Sequence, residues 1–217
     1  MKQMLTPNYD HEKVANPSLD DLIDVFEDAW KGYILAPAQM LLNTPNGDIS
    51  AMILLSPYFE SIEALYQGKS SDGKSRKFFV AGFLRVFEKI TGLDDKRHAK
   101  NAAEAVYRNI RCGAAHTGFP TYRVGFQRIN RNAFHLTYPR FPDGKLDTAS
   151  PVHSILFNAQ RIHDSVSWHL ENYVKTLRQP HETTLRDNFN SLMRSEWGIG
   201  KGNNVVGMTE EAFSNPT

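Results

Sequence analysis

The chain has 217 residues, of which 41% are hydrophobic and 23% charged, the balance of an ordinary globular protein long enough to bury a sizeable core. Its 25 basic and 24 acidic residues nearly cancel, so no global field marks it as a general binder of nucleic acid or membrane surfaces. A single cysteine, Cys112, excludes an internal disulfide framework and a multi-cysteine metal site, and suits a reducing compartment. The N-terminal residues lack the apolar run of a signal peptide, and no stretch has the length needed to cross a bilayer. A soluble, cytoplasmic protein with no membrane association is expected.

Residues 1–17 are polar and carry Pro7 and Pro17, the composition of a loose arm. Ser18 followed by Asp21 has the pattern of a helix N-cap with an acid in the first turn. Leu19, Leu22, Ile23, Phe26, Ala29 and Trp30 then recur at helical spacing, so a first helix is predicted over about 18–31. Pro37 and the Thr44-Pro45-Asn46-Gly47 cluster mark a connection. Residues 49–66 are apolar around most of the helical circumference, the sign of a helix buried among others, with Pro57 inside it as a kink or a shifted start. Residues 68–73 form a loop. A third helix is predicted over 75–90, with Phe79, Phe83, Val86, Phe87 and Ile90 on one side and Thr91-Gly92 as its stop.

Asp94 or Asp95 opens a fourth helix that runs to His116. Its inner face reads Ala99, Ala102, Ala103, Val106, Ile110 and Ala114, small enough for close approach to a neighbour. Beyond Thr117-Gly118-Phe119-Pro120 the period changes. Tyr122, Val124 and Phe126 alternate, as do Phe134, Leu136 and Tyr138, with Ile129-Asn130-Arg131-Asn132 between them. This predicts a β-hairpin over about 121–140. Ser150-Pro151 is read as the start of a last long helix carrying Ile155, Ala159, Ile162, Val166, Leu170, Tyr173 and Leu177, stopped by Pro180. Residues 179–217 are polar, a tail with one short amphipathic piece near 185–197. The expected fold is mainly α, about five helices with an inserted hairpin.

The segment with chemistry in it is Arg111-Cys112-Gly113-Ala114-Ala115-His116. Arginine offers a rigid fork of donors suited to phosphate, and histidine moves protons near neutral pH. On an unbroken α-helix the two lie roughly 140° apart around the axis and about 7.5 Å apart along it. That is not one face, so the spacing leans toward a site completed by a second copy of the helix. Metal-free RNA cleavage needs a base for the ribose 2′-hydroxyl, a cation for the phosphate and an acid for the leaving oxygen. His116 suits proton transfer and Arg111 suits the phosphate, with Arg108 in support. The same residues equally describe an ordinary helix end, where cations face the negative pole of the dipole.

The string from Val106 through Tyr107-Arg108-Asn109-Ile110-Arg111-Cys112-Gly113 to His116 resembles the HEPN superfamily (higher eukaryotes and prokaryotes nucleotide-binding). Its signature is Arg, four to six residues, then His at the end of a helix in an α-helical bundle. The Arg-Cys-Gly-x-x-His form is similar to that of a bacterial branch of HEPN-like proteins. So is the upstream segment Leu54-Leu55-Ser56-Pro57-Tyr58-Phe59-Glu60 followed by Gly68, and the resemblance spans about 18–178. It implies a homodimer with the motif near the interface. It also implies metal-independent endoribonuclease activity in a defence, toxin–antitoxin or RNA-processing setting, with an antitoxin or other protein as partner. Arg111 and His116 are the positions it carries over. Many active members place a polar residue, often Asn, after the arginine, where this chain has Cys112; here Asn109 follows Arg108 instead. Several HEPN domains are not nucleases and serve as dimerisation or ligand-binding modules, which is the second reading the resemblance implies.

Glu60, on a helix expected to be buried, wants a cation. Arg111 or Arg108 is the natural partner, and Glu60 reads either as an orienting residue of the site or as a surface acid. Glu104, four residues before Arg108, reads as its helix-surface ion-pair partner. Arg123, Arg128, Arg131 and Arg140 alternate with aromatics in the predicted hairpin, a pattern of single-stranded RNA binders and equally of half-buried hairpins. Gly198-Ile199-Gly200-Lys201-Gly202 lacks the spacing and context of a phosphate loop. The histidines show no ligand spacing, so no metal and no cofactor are expected, and His163 and His169 are read as partly exposed.

Overall fold

A computed structural model describes residues 4–87, 96–113, 116, 118–129, 131–199, 204–205 and 208–209. The protein is mainly helical with a small sheet. Helix α1 (Leu19–Ala29) opens on the capping box read from Ser18 and Asp21, each side chain bonded to the other's backbone. It does not stop near residue 31. The chain continues through a π-helical stretch, Trp30–Leu35, into α2 (Ala36–Leu42), so Pro37 is a helical residue rather than a connection. A proline ring ordinarily clashes with the carbonyl four residues back. The wider π turn immediately ahead, with Ala36 bonded to the Lys31 carbonyl, is where that clash is relieved.

Helix α3 (Asp48–Leu55) and α4 (Pro57–Gln67) meet at Ser56, so Pro57 shifts a helix start as expected. Helix α4 is the centre of the bundle. Tyr58, Phe59 and Ile62 are fully buried, and α5 (Ser75–Phe87) crosses so closely that Gly82 faces the Phe59 carbonyl with no room for a Cβ. Phe59, Phe79, Phe83 and Phe87 interlock around that crossing, with ring centroids 4.6 to 5.9 Å apart. Helix α6 (Lys96–Val106) continues as a second π-helical stretch, Tyr107–Cys112. The predicted stop at Thr91-Gly92 and start at Asp94 or Asp95 lie outside the described residues.

The predicted hairpin does not form. Strands β1 (Val124–Phe126) and β2 (Phe134–Thr137) both pair with β3 (Ser154–Phe157), parallel and antiparallel respectively, in the order β1-β3-β2. Ile155, assigned by its spacing to the last helix, is therefore a strand residue. Ile155 and Phe157 are buried while Ser154 and Leu156 are less so. That alternation is the strand signal, and it was masked by the spacing Ile155 shares with Ala159 and Ile162. The last long helix, α7 (Ala159–Leu177), starts at Asn158, whose side chain accepts from the Arg161 amide.

Two segments read as loose are packed. In the N-terminal arm Thr6 is buried, Asn8 bonds Asp28, and Lys13 pairs with Asp21 and Asp24. Helix α8 (Thr183–Glu196) buries Phe189, Leu192 and Met193. Phe189 meets Phe26 and Tyr173 with centroids 5.4 and 6.5 Å away. The polar outer face of α8 hid this apolar stripe in the average composition. Strands β4 (Asn204–Val205) and β5 (Met208–Thr209) pair antiparallel near the end of the chain. Among the described residues no helix is long and apolar enough to cross a membrane.

Candidate functional site

The site is built where the second π-helical stretch ends. The Asn109 side chain is buried and donates to the Ala105 carbonyl at 2.8 Å. In a regular α-helix that carbonyl takes the Asn109 backbone N–H. Capture by a side-chain amide is a local reason for the winding to widen there. The Asn109 carboxamide oxygen accepts from the Thr121 hydroxyl at 2.8 Å, and its backbone carbonyl accepts from the Thr121 amide at 3.0 Å. The segment after the motif is thereby clamped to the helix end. Gly113 allows it to lie flat there: a Cβ would stand 2.8 Å from the Phe119 carbonyl oxygen, well inside contact distance.

Arg111 leaves this stretch toward α4. Its Nε lies 3.7 Å from Glu60 Oε2, the side chains 37% and 14% exposed, so the cation expected for Glu60 is Arg111. The carboxylate also accepts from Ser71 Oγ at 2.6 Å and Ser75 Oγ at 2.7 Å, and the Tyr107 hydroxyl reaches Ser75 Oγ at 3.5 Å. Glu60 is a fixed acceptor. The Arg111 Nε–H is buried and makes no hydrogen bond among the described residues.

Both Arg111 and Glu60 line a cavity of about 420 Å³. Its opposite walls come from Trp30, at the start of the first π-helical stretch, from Trp197 after α8, and from Ser70, Ser71 and Asp72 of the α4–α5 loop. Sequence reasoning missed Trp30 and Trp197 as lining residues. The signal that could have found Trp30 is a bulky residue two positions before Gly32, just ahead of Pro37, in a helix with two weak helix formers.

Arg108 and Glu104 fall elsewhere. Arg108 is exposed and lines a separate cleft with Arg123. Glu104 does not pair with Arg108 but with Arg76, at 2.8 Å across to α5. His116 is exposed and Cys112 half-buried and free; the residues joining them lie largely outside the described ones. Arg128 grips Asp48 with two nitrogens, Arg140 donates to the Gly144 carbonyl, and Phe134 is buried, so much of the basic and aromatic alternation is structural. Of the glycine-rich end, residues 200–202 lie outside the described residues. No group of three metal-ligating side chains occurs among the described residues.

Of the two histidines expected to be partly exposed, His163 is so and His169 is not. His163 is half-buried and contacts the Leu35 carbonyl at 3.1 Å. His169 is buried, with Nδ1 2.8 Å from the Tyr58 hydroxyl. Burial, helped by the Arg85 charge, pushes its pKa down to about 4. Burial also raises the Tyr58 and Tyr173 hydroxyls well above the ordinary range. This cluster ties α4 to α7 and does not itself line the Arg111 cavity, although Tyr58 packs on Trp30, which does, with centroids 5.0 Å apart.

No family model, no curated protein and no solved structure matches the chain.

Proposed function

We propose that the protein is a HEPN-like, metal-independent endoribonuclease that works as a homodimer. The observation that carries the reading is Arg111 in the wall of a 420 Å³ cavity, oriented by Glu60, with the exposed His116 five residues further along the chain. In the reaction His116 removes the proton from a ribose 2′-hydroxyl and the 2′-oxygen attacks the adjacent phosphorus. Arg111 neutralises charge on the non-bridging oxygens. The bond from phosphorus to the 5′-oxygen breaks, and that oxygen takes a proton from the partner copy's histidine. The products are a 2′,3′-cyclic phosphate and a 5′-hydroxyl. Arg108 lies one turn before Arg111 and supports the strand, while Asn109 acts from behind, holding the helix end in shape. The setting is defence or toxin–antitoxin, with an antitoxin or similar protein as partner.

The test is cleavage of single-stranded RNA in excess EDTA by the wild type, His116→Ala and Arg111→Ala proteins. Activity should be present in the first and lost in both variants; equal activity in all three would sink the mechanism. One observation favours a second reading. Glu60 already offsets the Arg111 charge and is fixed by two serines, an arrangement that also suits a catalytically silent dimerisation module binding a protein or nucleotide. A dimeric protein with no EDTA-resistant cleavage would select it.

A further inference from the structure

The segment that follows the helix end carries a second set of groups, outside the Arg111 cavity. Phe119 and Tyr122 are 67% and 88% exposed. They do not ride on a free loop, because Thr121 between them is held by Asn109 through both backbone and side chain. The Tyr122 ring is held in turn by Arg123, whose guanidinium lies 5.6 Å from its centroid and whose Nε donates to its hydroxyl at 3.2 Å. Two large aromatic faces are thus presented to water on anchored backbone.

Beside them is a cleft of about 210 Å³, large enough for a phosphate, lined by Arg108, Arg123 and Asn101. Glu104 also lines it but is engaged by Arg76. Neither Arg108 nor Arg123 has a carboxylate partner among the described residues. With its one carboxylate, Glu104, already paired to Arg76, the cleft keeps an excess of positive charge from the two arginines, which an anion between them would offset. A fork of donors beside a stacking platform is how single strands are held: the phosphate is gripped and the base lies on the ring.

We propose that this surface binds a single-stranded polynucleotide, with one phosphate lodged between Arg108 and Arg123 and one base stacked on Tyr122. A subsite that grips one or two phosphates needs no strongly basic protein, in keeping with the near-neutral chain. The proposal rests on the endoribonuclease reading in taking the bound strand to be a continuation of the substrate.

The test uses His116→Ala protein, so that no strand is cut, and fluorescence anisotropy with a labelled single-stranded 2′-O-methyl RNA, the same sequence as DNA, and the corresponding duplex. Both single strands should bind more tightly than the duplex, with any preference for RNA marking contact to the ribose. Adding Tyr122→Ala or Arg123→Gln should weaken single-strand binding about ten-fold, and Arg123→Gln should also lower the salt dependence by about one phosphate contact. Circular dichroism melting checks that the surface variants stay folded. The proposal is overturned by no binding, by binding unchanged in both variants, or by a Tyr122→Ala protein that loses its dimer while holding the strand as before. Strand binding without EDTA-resistant cleavage by the wild type would remove the nuclease reading and leave this one standing. Cleavage with unaltered binding in the variants would do the reverse.

Discussion

His169 makes the stability of the bundle depend on pH over a defined interval. Its imidazole is buried between α4 and α7, bonded at Nδ1 to the Tyr58 hydroxyl and packed against the Tyr66 ring. Arg85 stands over that same Tyr66 ring, 4.1 Å from its centroid. The native pKa is about 4 against an ordinary 6.5. Between those values the unfolded chain binds a proton that the folded chain refuses, so stability rises with pH across the interval. The contribution is complete above about pH 6.5 and is lost as pH falls through 4. Each pH unit in which the two states differ by one proton amounts to about 1.4 kcal/mol, so the interval amounts to about 3 kcal/mol. Carboxylates titrate in the same range, so the histidine is isolated by comparison with His169→Asn, whose side-chain amide falls near the Nδ1 position beside the Tyr58 hydroxyl and does not titrate. Urea denaturation of both proteins at pH 7.5 and 4.5 gives the difference in unfolding free energy at each pH. On acidification the wild type should lose about 2–3 kcal/mol more than the variant. An equal loss in the two proteins would refute the argument, because it would mean that the folded state accommodates the imidazolium.

Three further outcomes follow from the packing. Gly82→Ala should destabilise the protein by about 2 kcal/mol or more despite the better helix propensity of alanine, since the new methyl runs into the Phe59 carbonyl and lies 3.1 Å from Ile62 Cγ2; an unchanged urea midpoint would show that α4 and α5 can separate freely. Phe189→Ala should cost about 3–5 kcal/mol, because the ring is fully buried against Phe26 and Tyr173; a loss under 1 kcal/mol would return α8 to the status of a dispensable tail. Asn109→Ala should cost about 2 kcal/mol through the lost bonds to Thr121 and Ala105, and should speed hydrogen exchange at the Thr121 amide; unaltered exchange there would mean that the clamp is carried by the backbone bond alone.

Helices with one apolar face were legible along the chain because burial imposes their period: the Ser18 cap, the break at Pro57 and the end of α7 before Pro180 all fall where side-chain chemistry puts them. The sheet was not. Its pairing of β3 between β1 and β2 is a long-range choice, and three short strands carry too few alternations to outweigh the helix-like spacing of Ile155, Ala159 and Ile162. Of the candidate site, the ion pair between Glu60 and Arg111 was legible, since a carboxylate on a largely buried helix requires a cation. The π-helical stretches were not, because a hydrogen-bond shift from i−4 to i−5 leaves almost no trace in composition.

Those two irregular stretches bear most directly on function. A wider turn rotates everything beyond it relative to what precedes it, so the roughly 140° between Arg111 and His116 on an ideal α-helix does not apply to a helix that is π-wound through Cys112. The spacing of Arg111 and His116 therefore does not by itself call for a second chain. Asn109 and Gly113, the residues that shape this helix end, are not themselves reactive groups. The first irregular stretch, separated from the second by some seventy residues of sequence, delivers Trp30 to the cavity where the second delivers Arg111. Irregular winding costs hydrogen-bond geometry and is retained most often where it aims a side chain at a function. Both stretches therefore contribute a side chain to one 420 Å³ space. Trp30 is accordingly the residue outside the motif whose replacement by phenylalanine, which keeps an aromatic ring against Tyr58 but removes the indole, best separates a cavity that binds from one that is merely unfilled.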